Sequence, residues 1–411
     1  MHSRSTLTFL VALATTAALS AGCDSGETGD PGGSGGTGGT GGTTTTTATT
    51  GTGGTGGEGA TGGTGGTTGG TGGTGGTGGT AEWATPACDT ITGTAAVTFT
   101  LDEGETLTPT SGQLQGVGYT GLAALDTPNT LLAEHKGVLL KSEDAGCSWV
   151  SAGTLQGGIF KLTAAPGGIA YAWVDNGSAF YRIDADGPHP VSTPAQNIVG
   201  IGVDPLDGEH VRIGDASGAL SDSLDGGETW VKQGTPASDG GSIGYRFAFD
   251  PQNLDHILFG QSVGGAEVTF DGGESWTGAT GLGANSNAFA IAVSPADSSV
   301  VWLEGLELGP DMRHLYRSSD GGASFTSVVD DSAEINLING NLLAPHATDP
   351  DVVYFVYGTA FQGYGTDIYR YDHSKMAVTK THNAYHEVSA IVPSPADSSL
   401  LYFGLVVENI Q

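Results

Sequence analysis

Basic residues are scarce in this chain of 411 residues. Lys and Arg together number 13 against 44 Asp and Glu, and the formal net charge at pH 7 is −31. A surface of this sign repels the phosphates of nucleic acids and the head groups of anionic membranes. We therefore expect no nucleic-acid partner, whereas cations, neutral polymers and basic patches of other proteins remain compatible with the charge. High net charge also keeps a protein soluble, which needs no partner at all.

Two further absences narrow the fold class. Long helical periodicity is missing from residue 83 onward, where short β-branched and aromatic runs alternate with Gly, Asp, Asn and Pro. Cysteine occurs at three positions, Cys23, Cys88 and Cys147, which are too few for a small disulfide scaffold. The sequence predicts an all-β fold for residues 83–411 and indicates no cofactor.

Residues 1–22 have the plan of a secretory signal peptide. Arg4 lies in a short basic start, residues 7–19 are apolar, and small residues precede Cys23. The segment Leu19-Ser20-Ala21-Gly22-Cys23 resembles the lipobox of bacterial lipoproteins, although Ser20 stands where that family has an apolar residue. The resemblance implies a diacylglycerol on Cys23 and a membrane-anchored protein of the cell envelope, at the outer membrane or cell surface. The alternative is an ordinary secretory leader.

Residues 23–82 are nearly all Gly and Thr after the first few positions, with many Gly-Gly-Thr triplets. Apolar side chains that could offset the entropy of ordering are missing, so we expect a disordered linker. A flexible Gly-rich chain of this length spans roughly 40 Å. The linker would act as a spacer between the lipid and the folded part.

One phrase, written S-x-D-x-G-x-x-W, recurs four times with small variations. It runs from Ser142 to Trp149, from Ser223 to Trp230, from Thr269 to Trp276 and from Ser318 to Phe325. Asp in a tight turn accepts backbone N–H groups, Gly supplies positive φ, and the closing aromatic packs between sheets. The phrase resembles the Asp box (BNR repeat) of sialidases, sortilin-type receptors, xyloglucanases and photosystem II assembly propellers. The resemblance implies a β-propeller.

Blade number follows from the weaker copies of the phrase. The interval from Asp144 to Asp225 is almost twice that from Asp225 to Asp271. A degenerate copy of the phrase around Asp184 lies within this interval. Further copies surround Asp102 and Asp372. Residues 388–411 contain a Pro turn and strands but no phrase, whereas residues 97–108 contain a phrase but no preceding strands. We therefore predict seven blades, the last completed by an N-terminal hairpin near residues 97–108 beside the C-terminal strands. We also expect a monomer.

The four box aspartates are predicted to be structural. In the Asp-box family the boxes lie on the outer rim of one face, and ligands are usually bound on the opposite face. The resemblance therefore implies a turn-forming role, with calcium binding as the alternative, for Asp144, Asp225, Asp271 and Asp320.

Catalysis is not favoured by the residues. Sialidases need three arginines on the substrate carboxylate and carry an (F/Y)RIP motif before the first box. The nearest string here, Tyr181-Arg-Ile-Asp184, lies after the second box position and has Asp in place of Pro. For a two-propeller xyloglucanase the chain is about half the expected size, and photosystem assembly propellers use a basic patch. We predict no catalytic residue.

Loops away from the boxes hold the candidate binding residues, which combine acids, bases and aromatic rings. They are Tyr245, Arg246, Glu304, Asp311, Arg313, His314, Phe361 and Tyr364. The favoured interpretation is a non-enzymatic propeller that binds an extracellular or periplasmic protein or a glycan. A carbohydrate-active glycoside hydrolase with an unrecognised site and a cell-envelope assembly scaffold remain alternatives.

Two remaining features concern cysteine and histidine. Export brings Cys88 and Cys147 into an oxidising compartment, which favours a disulfide between them; the alternative is a frayed N-terminal tail and an exposed thiol. His382, His386 and Glu387 have a spacing that suits a metal on a helix, but we expect a loop there. We therefore predict no metal site.

Overall fold

The computed structural model describes residues 83–411 except 112–113, 115–117, 238–241, 284, 338–341, 360–364, 384–386, 396, 398 and 408–411. The leader, Cys23 and the linker lie outside the described residues. No helix in the described part is long and apolar enough to cross a membrane.

Seven antiparallel sheets account for the described secondary structure, six of four strands and one of three. We number them as blades 1 to 7. The strands of blades 1 to 3 are β2 (Thr120–Ala124), β3 (Leu131–His135), β4 (Val138–Ser142), β5 (Val150–Thr154), β6 (Lys161–Ala165), β7 (Ile169–Trp173), β8 (Phe180–Asp184), β9 (Gly187–Pro190), β10 (Ile198–Val203), β11 (Val211–Asp215), β12 (Leu220–Ser223) and β13 (Val231–Gln233).

Blades 4 to 7 complete the ring. Their strands are β14 (Gly244–Asp250), β15 (Asn253–Gln261), β16 (Ala266–Thr269), β17 (Thr277–Gly278), β18 (Ser286–Val293), β19 (Val301–Glu307), β20 (Met312–Ser318), β21 (Thr326–Asp330), β22 (Leu343–Pro345), β23 (Val352–Thr359), β24 (Gly365–Asp372), β25 (Ala377–Asn383), β26 (Glu387–Pro393), β27 (Leu401–Val407) and β1 (Val97–Thr100). The first strands of successive blades contact one another, and β26 returns to β2. The predicted all-β, seven-bladed propeller is confirmed.

Blade 7 closes the ring with strands from both ends of the folded part. β1 pairs antiparallel with β27, with Val97 opposite Gly404 and Thr100 opposite Leu401. The pairing covers an edge of β27 that an open sheet would expose. The predicted closure is therefore confirmed.

The outermost strand of blade 7 differs from the prediction of a full hairpin over residues 97–108. The backbone N–H of Thr108 donates to the carbonyl of Phe99 at 2.9 Å, but no fourth strand follows among the described residues. The reason is that Pro109 and Ser111 bond to Ile91 instead, in a short parallel bridge. The chain leaves β1 to meet its own N-terminal segment.

That N-terminal segment is fastened beside blades 7 and 1. Cys88 and Cys147 form a disulfide with their Cα atoms 5.8 Å apart. Ile91 and Trp149 are buried in one apolar cluster with Phe99 and Tyr402. The core of the propeller consists of such clusters between neighbouring sheets, which is how a ring of flat blades buries apolar surface.

Close approach of neighbouring blades requires glycine on inner strands. A Cβ atom on Gly200 of β10 would lie 2.3 Å from the carbonyl oxygen of Phe247 on β14. Any side chain here would push blades 3 and 4 apart. This contact sets the distance between the strands that carry the candidate site.

Candidate functional site

The propeller has two faces with different chemistry. Turns between the first and second strands and between the third and fourth strands of each blade make up one face, which we call the turn face. Segments that precede each first strand, and connections from the second to the third strand, make up the opposite cavity face. Because strands alternate in direction, every residue just before a first strand lies on the cavity face.

Each S-x-D turn on the turn face is closed by its own carboxylate. In the first, Asp144 accepts the Ser142 hydroxyl at 2.8 Å, and the backbone N–H and hydroxyl of Ser148 at 2.8 and 2.6 Å. The Ser142 hydroxyl oxygen also accepts the N–H of Gly146, whose φ is +94°. The indole N–H of Trp149 donates to the Gly146 carbonyl.

The same bonds recur around the other box aspartates and around the weaker copy at Asp102. The acceptors are Asp102, Asp225, Asp271 and Asp320. Hydrogen bonds from Ser275 and Thr269 hold the pKa of Asp271 at about 2. The carboxylates are thus ionised and engaged within their own turns. No group of three or more His, Cys, Asp or Glu in the described residues is arranged to hold a metal ion.

The cavity face contains a cavity of about 280 Å³ beside the first strands of blades 2, 3 and 4. Its polar wall consists of Lys161, Asp175, Asn176 and Asn197. Its apolar wall consists of Ile198, Val199 and Tyr245. The wall residues come from the starts of β6, β10 and β14 and from the connection between β7 and β8.

Lys161 and Asp175 are the charged residues of the cavity wall, and Arg246 lies beside it, next to Tyr245 in β14. The Lys161 Nζ atom lies 2.7 Å from Asp175 Oδ1 and 5.0 Å from the ring centre of Trp173. Desolvation at the cavity wall and the charge of Arg246 lower the pKa of Lys161, and Asp175 opposes both. Burial likewise lowers the pKa of Arg246, again opposed by Asp175. Lys161, Asp175 and Arg246 therefore interact electrostatically on the cavity face.

Tyr245 and Arg246 are the predicted binding residues that belong to this region. Tyr245 lines the cavity and is exposed, and Arg246 follows it at the start of β14. Lys161 and Asp175 were missed by the sequence reasoning, since each lies alone in an unremarkable strand or turn. The scarcity of lysine in the chain is the one signal that could have drawn attention to Lys161.

The prediction of a binding loop in blade 5 is wrong, because most of its residues lie in strands. Residues 304–307 belong to β19 and 312–314 to β20, so the insertion is a pair of long strands joined at 308–311. Glu304 is only 1% exposed, and burial raises its pKa to about 8. His314 is 8% exposed, and its Nδ1 atom lies 2.7 Å from Asp330 Oδ1. The strands are long because β19 and β20 remain paired as far as Glu307 opposite Met312.

Neither Asp311 nor Arg313 lines the cavity. Asp311 is exposed in the β19–β20 turn with φ +57°, and the carbonyl of Arg313 accepts the N–H of Asp331. Phe361 and Tyr364 lie outside the described residues. His382, expected in a loop, lies in β25 with its Nδ1 atom 2.7 Å from Asp367 Oδ1.

Comparison with known proteins assigns the chain to a family. No protein-family model matches it. The dispase autolysis-inducing protein of Streptomyces mobaraensis is 52% identical over 341 residues, which cover 80% of this chain and 91% of that protein. This chain belongs to the same family.

Solved structures share the fold at low identity. Virginiamycin B lyase from Staphylococcus aureus, as a catalytically inactive variant with quinupristin, has a TM-score of 0.52 at 12% identity, covering 72% of this chain and 98% of the lyase. The β-propeller domain of Cps50 (Swd1) from Myceliophteria thermophila has a TM-score of 0.52 at 10% identity, with 71% and 98% covered. At such identities the likeness concerns the fold alone.

Proposed function

We propose that this protein is a non-enzymatic propeller that binds an exported protease and promotes the self-cleavage of that protease. The observation that carries the proposal is the 52% identity to a protein named for inducing the autolysis of dispase, over 91% of that protein's length. Autolysis is cleavage of a protease by itself, so an inducer needs to bind its partner but not to cut it.

The cavity face is the proposed binding surface. Ile243, Tyr245 and Val263 are exposed there on neighbouring segments of blade 4, and the N–H of Ser262 donates to the carbonyl of Ile243 at 2.8 Å. Adjacent exposed apolar side chains are typical of protein-binding surfaces. The box aspartates of the turn face, by contrast, are already engaged by hydrogen bonds within their own turns.

The cavity supports binding more than glycoside hydrolysis. Glycosidases place two carboxyl groups across the scissile bond. Asp175 in the cavity is held in an ion pair with Lys161, Glu304 is buried inside a sheet, and Asp311 does not line the cavity. An ion-paired carboxylate orients a ligand better than it transfers a proton.

Membrane attachment is a second part of the proposal. The lipobox-like segment at Cys23 and the Gly/Thr-rich residues 23–82 support a lipid-anchored protein of the cell envelope, separated from the bilayer by a spacer. The hydrogen bonds shared by the S-x-D turns support its grouping with Asp-box propellers. An extracellular or periplasmic partner fits this location.

The experiment that tests the function mixes the purified full chain with dispase and follows dispase fragments by electrophoresis together with its residual activity. We expect faster fragmentation and faster loss of activity than in dispase alone. Dispase inactivated beforehand should remain intact with the chain. Fragments of the inactivated enzyme would mean that the chain itself is a peptidase, and an unchanged lifetime of active dispase would refute the proposal.

Paired variants test the surface. Ile243→Ser with Val263→Ser removes exposed apolar contacts from the cavity face and should slow autolysis strongly. Leu206→Ser with Leu224→Ser makes the same chemical change at exposed residues of the turn face and should leave the rate as in the unchanged chain. The reverse pattern would move the binding surface to the turn face.

A further inference from the structure

Cations in the described part of this acidic protein are mostly neutralised by a neighbouring carboxylate. The pairs are Arg182 with Glu209, Arg212 with Asp222, Arg317 with Asp351, and Arg370 and Lys375 with Asp372. Pairing of this kind cancels the charge locally and leaves little to attract an anionic ligand.

Arg246 is an exception. It lies half-buried at the start of β14, on the ring of first strands, and its guanidinium has no hydrogen bond or ion pair within the described part of the chain. A guanidinium offers five donors in a planar fork that matches a carboxylate. None of the Arg246 nitrogens is among the buried atoms without a partner in the described part of the chain, so the fork is open to a ligand.

Among the described residues, Lys161, Arg246 and Asp175 together give the surroundings of the cavity an excess of one positive charge. Desolvation and the charge of Arg246 lower the pKa of Lys161, and Asp175 favours the charged forms of both cations. β10 lies between β6 and β14, the strands that carry the two cations. In a chain of net charge −31, this is a local site for an anion.

The other walls limit which anion fits. Ile198, Val199 and the exposed ring of Tyr245 provide apolar contact, and the amides of Asn176 and Asn197 provide hydrogen bonds. A cavity of about 280 Å³ holds one side chain and its backbone groups rather than an extended polymer. Apolar, amide and cationic groups together match a peptide residue better than a bare inorganic ion.

We propose that this cavity binds a peptide carboxylate, with the carboxylate between Lys161 and Arg246 and the adjoining side chain against Ile198, Val199 and Tyr245. The carboxylate comes from the C-terminus of a peptide or from an acidic side chain. The site goes beyond the proposed function, because it concerns recognition of a small ligand that binds without any protease.

Calorimetric titration of the full chain at low salt tests the site with three peptides. They are acetyl-Gly-Leu with a free carboxylate, its C-terminal amide, and acetyl-Glu-Leu amide. Binding of the first identifies a C-terminal carboxylate, and binding of the third identifies an acidic side chain; either supports the site. Equal binding of the uncharged amide, or binding of none of the three, overturns it.

Variants assign the binding to the cavity. Arg246→Gln should weaken it about ten- to hundredfold, as expected for the loss of a charge-assisted hydrogen bond. Lys232→Gln removes one charge at an exposed position of β13 and should have no effect. Lys161→Gln, at an exposed residue, provides a second variant if Arg246→Gln is unstable. Equal affinities of the cavity variants and Lys232→Gln would contradict the assignment, whatever the outcome with dispase.

Discussion

Glu304 carries a carboxyl group that the fold removes from water, with no hydrogen-bond partner for its Oε2 atom. Its counterpart in blade 1 is Glu134, because Leu131 and Val301, three residues earlier, each pair with the serine that opens an S-x-D turn. Glu134 is buried too, but it accepts the backbone N–H of Gly137. Of these two carboxyl groups, only that of Glu304 has a buried oxygen without a partner in the described part of the chain.

Replacing Glu304 with Gln should stabilise the protein at neutral pH. Burial raises the pKa of Glu304 from about 4.5 to about 8, so unfolding releases a proton between these values and the stability falls as pH rises through this window. We expect a gain of about 1–3 kcal/mol at pH 7 and little change at pH 4, measured by urea unfolding. Glu228→Gln, at an exposed residue, is the control. A loss of stability at pH 7 would mean that the carboxylate is satisfied in the native protein.

Single residues also show where sequence reasoning succeeds. The S-x-D phrase fixes a turn by local hydrogen bonds, so Asp102 could be recognised even with Leu107 in place of the closing aromatic. Burial of Glu304 could not be recognised, because a charged residue beside Gly and Pro has the composition of a loop. Its environment depends on how a neighbouring sheet covers it.

At the scale of strands, the complementary ends of the folded part predicted β1 beside β27. This pairing could be predicted because residues 388–411 contain strands without an S-x-D phrase, whereas residues 97–108 contain the phrase without preceding strands. The missing outer strand of blade 7 could not be predicted, because it depends on the long-range bonds of Pro109 and Ser111 with Ile91. The cavity is equally non-local: its residues come from three blades and share no motif.

The Cys88–Cys147 disulfide should stabilise the closure of blade 7. Its 59-residue separation encloses β1, and chain-entropy models give such a crosslink about 4 kcal/mol. We expect Cys88→Ser with Cys147→Ser to lower the melting temperature clearly, with β1 becoming more accessible to proteolysis. Reductant should reproduce the effect in the unchanged chain. Two reactive thiols in the mature, denatured chain without reductant would show that the bond does not form.

At the scale of the whole molecule, an acidic propeller follows a proposed leader and a Gly/Thr-rich stretch. Replacing Cys23 with Ala should prevent lipidation and move the protein from the membrane to the soluble fraction, because a single lipid-bearing cysteine is the proposed anchor. Detergent phase separation of cells that express each form measures this. The Cys88→Ser, Cys147→Ser variant, which keeps Cys23, should stay with the membrane. Membrane partitioning of Cys23→Ala would require another anchor.

Hydrogen–deuterium exchange of the full chain, alone and with inactivated dispase, tests the central claim most directly. Binding through the cavity face predicts slower exchange at residues 242–246 and 262–265, with unchanged exchange in the S-x-D turns at 144–148, 225–229 and 271–275. Protection confined to those turns, or no protection anywhere in the propeller, would contradict the account.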